Sequence, residues 1–444
     1  MKRVLTTLIV LLMTLSLSAC GNNNNNETTK ESVEIFINVP ILTVDCVSNP
    51  EFESSADFIK AAWDEFAAQY DKYDVSLMKD KVYSFEQTDY AANITDVYGT
   101  EKCPDLSFGG YFAMSAYIYD GYIIPLDDII TDEIRNDYSE ATWQSSMGNN
   151  GKTYLLPFYS LMNIMCFNKD LFAECGLEKY CLDDDIIQGW SLEQWEEVLS
   201  ALQKKLPDGK FPMMMYAKNN QGDTHTMVIL RCMGSNFFNE DGLFNLNTEE
   251  GIAGLQWIKD NYDKGYYPKG CEDIAIKDCS DMFNNGQIAI HIWNSALATN
   301  YDNMNLGYVN FPGSTNNGAN SNWITGFMAF DNGDEKKVEV VKDFLTYIYT
   351  HENTLNYQTS GLPCAKSVQD RYADQLALGE QLALNDQYSV NFTANNPNWP
   401  AVRQAFWPHI HALLAGTETA AQAAQGLDND CNNAIKSANR QLHD

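Results

Sequence analysis

Apolar spacing switches repeatedly between a strand period and a helix period along this chain. That alternation limits the folds open to it more than any other feature. "SVEIFINV" reads as a strand, and "ADFIKAAWDEFAAQYDKY" follows as a helix in which Ile59, Trp63, Phe66 and Tyr70 recur at helical spacing. Trp63 is thereby a core residue rather than a ligand platform. "DVSLM" and "PDLSFG" supply two further strands, each followed by helical sequence. This succession builds an open, largely parallel sheet flanked by helices, an α/β fold.

A second unit of the same kind begins near Leu161. "NIMCFNKDLF" is a strand entering a helix, and "SLEQWEEVLSALQKKL" carries a capping box, with Ser191 as N-cap and Gln194 three residues on. Leu192, Trp195, Val198 and Leu202 form its apolar stripe. "EEGIAGLQWIKDNYDKG" and "DEKKVEVVKDFLTYIYT" are further helices. "NWPAVRQAFWPHIHALLAG" starts another at Pro400 and should kink near Pro408. With 444 residues the chain is too long for one core, so two or three domains are expected.

The first twenty residues address export. Lys2 and Arg3 precede the apolar run "VLTTLIVLLMTLSLSA", which is too short and poorly flanked for a stop-transfer helix and reads as a secretory signal. Its end, "LSAC", resembles the bacterial lipobox, whose cysteine, here Cys20, is acylated and becomes the mature N-terminus. Residues 21–31, with the run Asn22–Asn26, form a polar tether unable to bury enough surface to fold. The body is expected to be held by this lipid anchor at the extracellular face of the membrane.

A formal net charge of -31 argues against a nucleic-acid partner, whose phosphates would be repelled. Ten cysteines besides Cys20 show no C-x-x-C or zinc spacing. Cys271 and Cys279 flank a short segment and are the first pair to test for a disulfide, with free buried thiols the alternative.

The motifs that mimic catalytic or metal sites each lack a required residue. Gly151-Lys152-Thr153 mimics the end of a phosphate loop, but the glycine required five positions earlier is Ser146, and "TYLLPFY" cannot open a helix. His351-Glu352 fails as a zincin at Leu355. His409 and His411 point to different helix faces. "NEDG" at 239–242 has Phe237 where a calcium loop needs its first ligand. No cofactor or metal is called for. Instead, aromatic residues stand outside helical stripes: Tyr111 and Phe112 after a strand, Trp293 after "FNNGQIAIHI", Trp323 in "NGANSNWITG", and Trp399 before a helix. Aromatics at strand ends are where open α/β sheets bind ligands, and a flat ring suits the C–H face of a sugar.

Four stretches together resemble the extracellular solute-binding lipoproteins of bacterial ABC importers, in the group typified by maltose-binding protein. "GKTYLLPFYSLMNIMCFNKDLF" is similar to that family's G-K-x-Y-x-x-P stretch leading into N-K-D-L. "DMFNNGQIAIHIW" is similar to its F-x-x-G-x-x-A-M stretch, with Ile290 where methionine is usual. "WPAVRQA" and "DGYIIPLDDII" resemble two more, in the right order. The resemblance implies a two-lobed periplasmic-binding-protein fold (type II), each lobe an open sheet flanked by helices. An N-terminal lobe would comprise residues 32–158 plus 325–362, and a C-terminal lobe 159–324 plus 363–444. The chain would cross a hinge near Tyr159–Asn163, Trp323–Gly326 and Gly361–Pro363, with Gly151–Thr153 as a turn and Lys152 solvated.

The resemblance further implies a monomeric carbohydrate receptor, its ligand an oligosaccharide delivered to the transmembrane subunits of an ABC permease. Carried over position by position, Tyr111 and Phe112 match a first-lobe loop, and Ser160 and Leu161 match hinge-strand contacts, Leu161 replacing a carboxylate. Thr224 and His225 fall where the second lobe supplies a stacker, Trp293 and Trp399 match stacking tryptophans, and Arg403 could bond hydroxyls. Trp323 rests on loop position alone. Two other readings stay open: a binder of a non-sugar ligand such as a polyamine or peptide, and a thiaminase-like enzyme on the same scaffold. In the latter a nucleophilic cysteine would stand where Ser160 is found.

Overall fold

A computed structural model describes residues 30–39, 52, 55–78, 94, 97–182, 186–219, 221–294, 301, 303–313, 318–351, 361–376, 378–390, 393 and 399–437. The expected signal, Cys20 and the tether up to residue 29 lie outside these residues, as does the side chain of Thr224. Eleven strands are present among them. β1 (Ser32–Ile35), β2 (Ile37–Asn38), β3 (Asp74–Leu77) and β4 (Leu106–Gly110) precede the long β5 (Leu156–Asn168). Then come β6 (Ile187–Gln188), β7 (Phe211–Met213), β8 (Ile288–Trp293), β9 (Leu306–Val309), β10 (Ser321–Ala329) and β11 (Leu362–Pro363).

The first expected strand is split at Phe36. Its backbone N–H donates to the Asp105 carboxylate at 2.8 Å instead of to a ladder partner, and that carboxylate also takes Lys337 Nζ at 3.0 Å. β1 therefore pairs with β3 in a small parallel sheet, while β2 joins a nine-stranded sheet. That sheet runs β2-β4-β10-β5-β8-β7, with β9 and β11 also on β5 and β6 on β9. The outer pairs β2·β4, β7·β8 and β6·β9 are parallel, as the strand–helix rhythm requires. The long strands β5 and β10 instead run antiparallel to all their neighbours.

Two separate cores sit at the two ends of this sheet. The first gathers Phe58, Trp63, Phe66, Phe108, Phe158, Phe327 and Phe344, with Phe58 stacked on Phe158 at 5.1 Å. The second gathers Ile164, Phe167, Trp190, Trp195, Leu230, Ile290, Phe406 and Leu413. Each such side chain contributes about 2 kcal/mol by leaving water, so each end is stabilised on its own. Along β5, Tyr159 belongs to the first core and Met162 to the second, so the chain passes between them inside one unbroken strand. β10 returns, and β11 pairs with β5 at Ser160 and Tyr159. Cys364, Ala365 and Val368, just beyond β11, pack in the first core.

Several local features take the form their sequence predicts, although Leu192, expected in the apolar stripe of its helix, is exposed. The Leu192–Lys205 helix begins with the Ser191–Gln194 capping box, and Trp195 is fully buried. Gly151 has φ +75°, a conformation that favours glycine, and it closes a turn in which Met147 bridges Thr153 and Lys152 is exposed. The Trp399–Ala415 helix continues through Pro408. Cys271 and Cys279 do not pair: both are free and buried, as seven other cysteines are free, and Cys279 Sγ instead lies 3.2 Å from His291 Nδ1. Among the described residues no helix is long and apolar enough to cross a membrane.

Candidate functional site

The chain leaves β4 at Gly110 and turns at once through Tyr111–Ala113. A methyl group on Gly110 would stand 3.2 Å from the Phe112 ring, so the glycine lets that ring fold back over the strand end. Tyr111 stacks on Phe112 with ring centres 5.0 Å apart, and Phe112 meets the edge of Trp323 at 4.5 Å. Strand register makes the second contact. β4 and β10 pair at Gly110 and Thr325, which brings Trp323 beside the turn. Phe112 and Trp323 are half-buried and pack against both cores.

The opposite wall comes from the second core. The Trp399–Ala415 helix places the Arg403 guanidinium 6.0 Å from the centre of the Phe112 ring. One turn earlier, Trp399 is buried at 1% exposure against Phe237 and Phe238, at 6.3 Å and 6.0 Å. Phe237 in turn carries the Arg231 guanidinium over its face at 4.8 Å. Arg231 ends the Gln221–Cys232 helix, and its charge acts on the Tyr111 hydroxyl. Burial raises the Tyr111 phenol above its usual value, opposed by a hydrogen bond with Thr393 and by the Arg231 charge. Burial likewise pushes Arg231 down to about 10. Half-buried Phe112 and Trp323 thus lie where the two cores meet, beside Arg403, with buried Tyr111 on Phe112 and buried Trp399 and Arg231 both packed on Phe237.

A polar seam borders it along the crossing strands. Asn294 Nδ2 donates to Asn163 Oδ1 at 3.0 Å, and Asn163 Nδ2 donates to Ser321 Oγ at 3.4 Å. Asp386 accepts from Asn322 Nδ2 on β10 at 3.0 Å and from Ser139 Oγ, on the first-core side, at 2.9 Å. Ser160 lies buried at mid-strand opposite Ile324 and Leu362, and half-buried Leu161 pairs with Trp323.

Two expected contacts are placed elsewhere. Trp293 ends β8 at 1% exposure, packed against Tyr308 at 5.5 Å in the second core. His225 is fully buried between Tyr216 and Phe311, and burial pushes it down to about 4. Thr224 lies on the same helix as His225. Sequence reasoning passed over Arg231, Phe237, Thr393 and the asparagine seam. A basic residue inside the apolar run "MVILRCMG" was the available signal for the first.

His409 bonds Glu418 and Asp430 while His411 bonds Asp273, consistent with their different faces. "NEDG" is an ordinary turn in which Asn239 Oδ1 accepts from the N–H groups of Asp241 and Leu243. Among the described residues no group of three His, Cys, Asp or Glu could hold a metal ion.

Residues 50–355 match the family model described as bacterial extracellular solute-binding protein. The chain belongs to that family. This solute-binding protein is 25% identical over 190 residues to a putative binding protein of Brucella abortus (strain 2308), and the match spans 42% of its own chain. It spans less than half, 43%, of the length of that relative. It is 23% identical over 356 residues to the diacetylchitobiose binding protein DasA of Streptomyces coelicolor, covering 77% of this chain and 79% of the relative. Among solved structures it superposes on the sugar-binding protein MalE from Xanthomonas citri with a TM-score of 0.72 at 14% identity. That match covers 91% of this chain and 98% of the other. The solute-binding protein therefore has the two-lobed α/β architecture of MalE, and its aromatic surface lies between the lobes.

Proposed function

We propose that this protein is the capture component of a bacterial ABC importer, closing its two lobes over an oligosaccharide and presenting it to the permease. One observation carries the reading: half-buried Phe112 and Trp323 meet where both cores contribute, with the Arg403 guanidinium beside the Phe112 ring and Arg231 nearby. Rings supply stacking faces for sugar, and guanidinium and asparagine groups supply donors for its hydroxyls. Lobe closure around such a site suits a receptor that must signal occupancy. The names of DasA and MalE point to the same ligand class. Acylation at Cys20 would hold the protein, as a monomer, at the outer face of the membrane, with the Asn-rich tether giving the lobes freedom to reach the permease.

Arg231 and Arg403 bring positive charge to the described site, which disfavours a polyamine there, while the Asp386 carboxylate at its border is already bonded to Asn322 and Ser139. Against an enzyme on this scaffold, Ser160 occupies the position of the thiaminase nucleophile. The nearest thiol along β5, Cys166, is fully buried, and burial raises it far above the usual thiol range.

Tryptophan fluorescence of the full chain, titrated with a panel of oligosaccharides, polyamines and thiamine, tests this. A saturable change with one glycan class is expected, at micromolar affinity of about -8 kcal/mol. It should weaken at least tenfold in Phe112→Ala, which truncates a half-buried ring and so keeps the fold. A response confined to a polyamine, or turnover of thiamine, would overturn the reading.

A further inference from the structure

The guanidinium of Arg231 is used on one side only. Nη1 donates to the Ser235 carbonyl oxygen at 2.7 Å and to Asn236 Oδ1 at 2.6 Å, tying down the turn that follows the helix. Among the described residues Nε and Nη2 have no hydrogen-bond partner, although Arg231 is only 9% exposed. Among the described residues no carboxylate pairs with it. Buried charge of this kind is normally matched by an opposite charge or by bonds to every donor.

The two idle nitrogens are not scattered. Nε and Nη2 share one edge of the planar group, and their N–H bonds run parallel at the spacing of two carboxylate oxygens. The turn itself needs one donor nitrogen, which a simpler side chain could supply. Nothing among the described residues explains the second edge. Its position does: the guanidinium lies against Phe237, next to Trp399, and within electrostatic reach of Tyr111 from the other lobe. Arg403 adds a second cation 6.0 Å from the centre of the Phe112 ring.

From this placement, and resting on the oligosaccharide reading above, we propose that the ligand is an acidic sugar whose carboxylate is taken by the Nε–Nη2 edge of Arg231. Tyr111 closes over that end of the ligand, and Phe112 and Trp323 provide ring faces for the adjoining residues. The overall charge of -31 does not prevent this. Solvent salt screens distant carboxylates beyond about 8 Å, so the local cations govern the final approach.

The test uses the full chain and calorimetric titration with uronate oligosaccharides (galacturonate, glucuronate, mannuronate and guluronate trimers). Each is measured beside its methyl ester, with sulfated neutral trimers as a further arm. One uronate should bind about 30-fold more tightly than its ester, in line with a charge-assisted bidentate pair. Arg231→Lys keeps the charge and a donor for the turn but loses the paired edge. It should erase most of that preference while leaving the melting temperature within about 2 °C. Arg231→Gln, which keeps a donor without the charge, should erase all of it. Equal affinity for acid and ester, binding of neutral glycans alone, or preference for sulfate with rejection of uronates would each overturn the inference while leaving a carbohydrate receptor. Binding of no glycan at all would overturn the reading beneath it. A variant that loses acid and ester binding equally would mark Arg231 as structural and likewise refute the proposal.

Discussion

The close pairing of β10 with β5 depends on a glycine that the packing cannot replace. Gly326 sits on β10 between Gly109 of β4 and Pro157 of β5, where the β5 register shifts. A methyl group on Gly326 would overlap the carbonyl oxygen of Leu156 and stand 2.8 Å from its carbonyl carbon. Ordinary carbon contacts need roughly 3.5 Å, so β5 and β10 would have to part. The same carbonyl oxygen accepts a hydrogen bond from the buried Tyr349 hydroxyl at 2.8 Å, which would be disturbed as well. Losing about two ladder bonds and one side-chain bond, at roughly 1 kcal/mol each, sets the expected loss for Gly326→Ala at about 3 kcal/mol. With an unfolding entropy of about 2.1 cal/mol/K per residue over roughly 400 residues, that lowers the melting temperature by about 4 °C. Gly109, its direct partner in the sheet, is the matched control. A methyl group there would meet nothing within 4 Å, so Gly109→Ala should be neutral or up to about 1 kcal/mol stabilising. Both melts are followed by far-ultraviolet circular dichroism. If Gly326→Ala melts within 1 °C of the wild type, the strands can separate freely and the reasoning fails.

Two further outcomes follow from buried groups. His225 is held neutral, its imidazole pushed by burial from about 6.5 to about 4. Below pH 6.5 the unfolded chain binds a proton that the folded chain refuses, so stability is full above that pH and falls as pH drops toward 4. Urea unfolding at pH 7 and pH 4.5 should show His225→Phe losing roughly 2–3 kcal/mol less than the wild type; parallel losses would contradict this. Because the nine described cysteines are free and all but Cys181 are buried, a reductant should leave the melting temperature unchanged and native thiol labelling should be slow. A reductant-sensitive melt would reveal a disulfide and disprove that arrangement.

The order of strands and helices, the Ser191 cap, the burial of Trp63 and Trp195 and the Gly151 turn were all legible along the chain. Each depends on neighbours a few residues apart, and periodicity and capping chemistry report such neighbours directly. The split of the first strand at Phe36 was not legible, because Asp105, which captures its N–H, lies 69 residues away. The candidate site divides the same way. Loop aromatics could be named, but composition treats Trp293, Trp323 and Trp399 alike. Only the fold buries Trp293 against Tyr308 and sets Trp323 against Phe112. Thr224 and His225 were marked from a loose likeness, and His225 turned inward between two rings, while Arg231 on the same helix faces Tyr111 across the lobes. What the sequence alone determined was which segments form strands and helices and which of their faces are apolar, since those follow from local spacing. What the tertiary structure decided was which distant side chains meet. The registers of β4, β5 and β10 carry residues from positions 110, 160 and 325 to one place, and no local pattern encodes that distance.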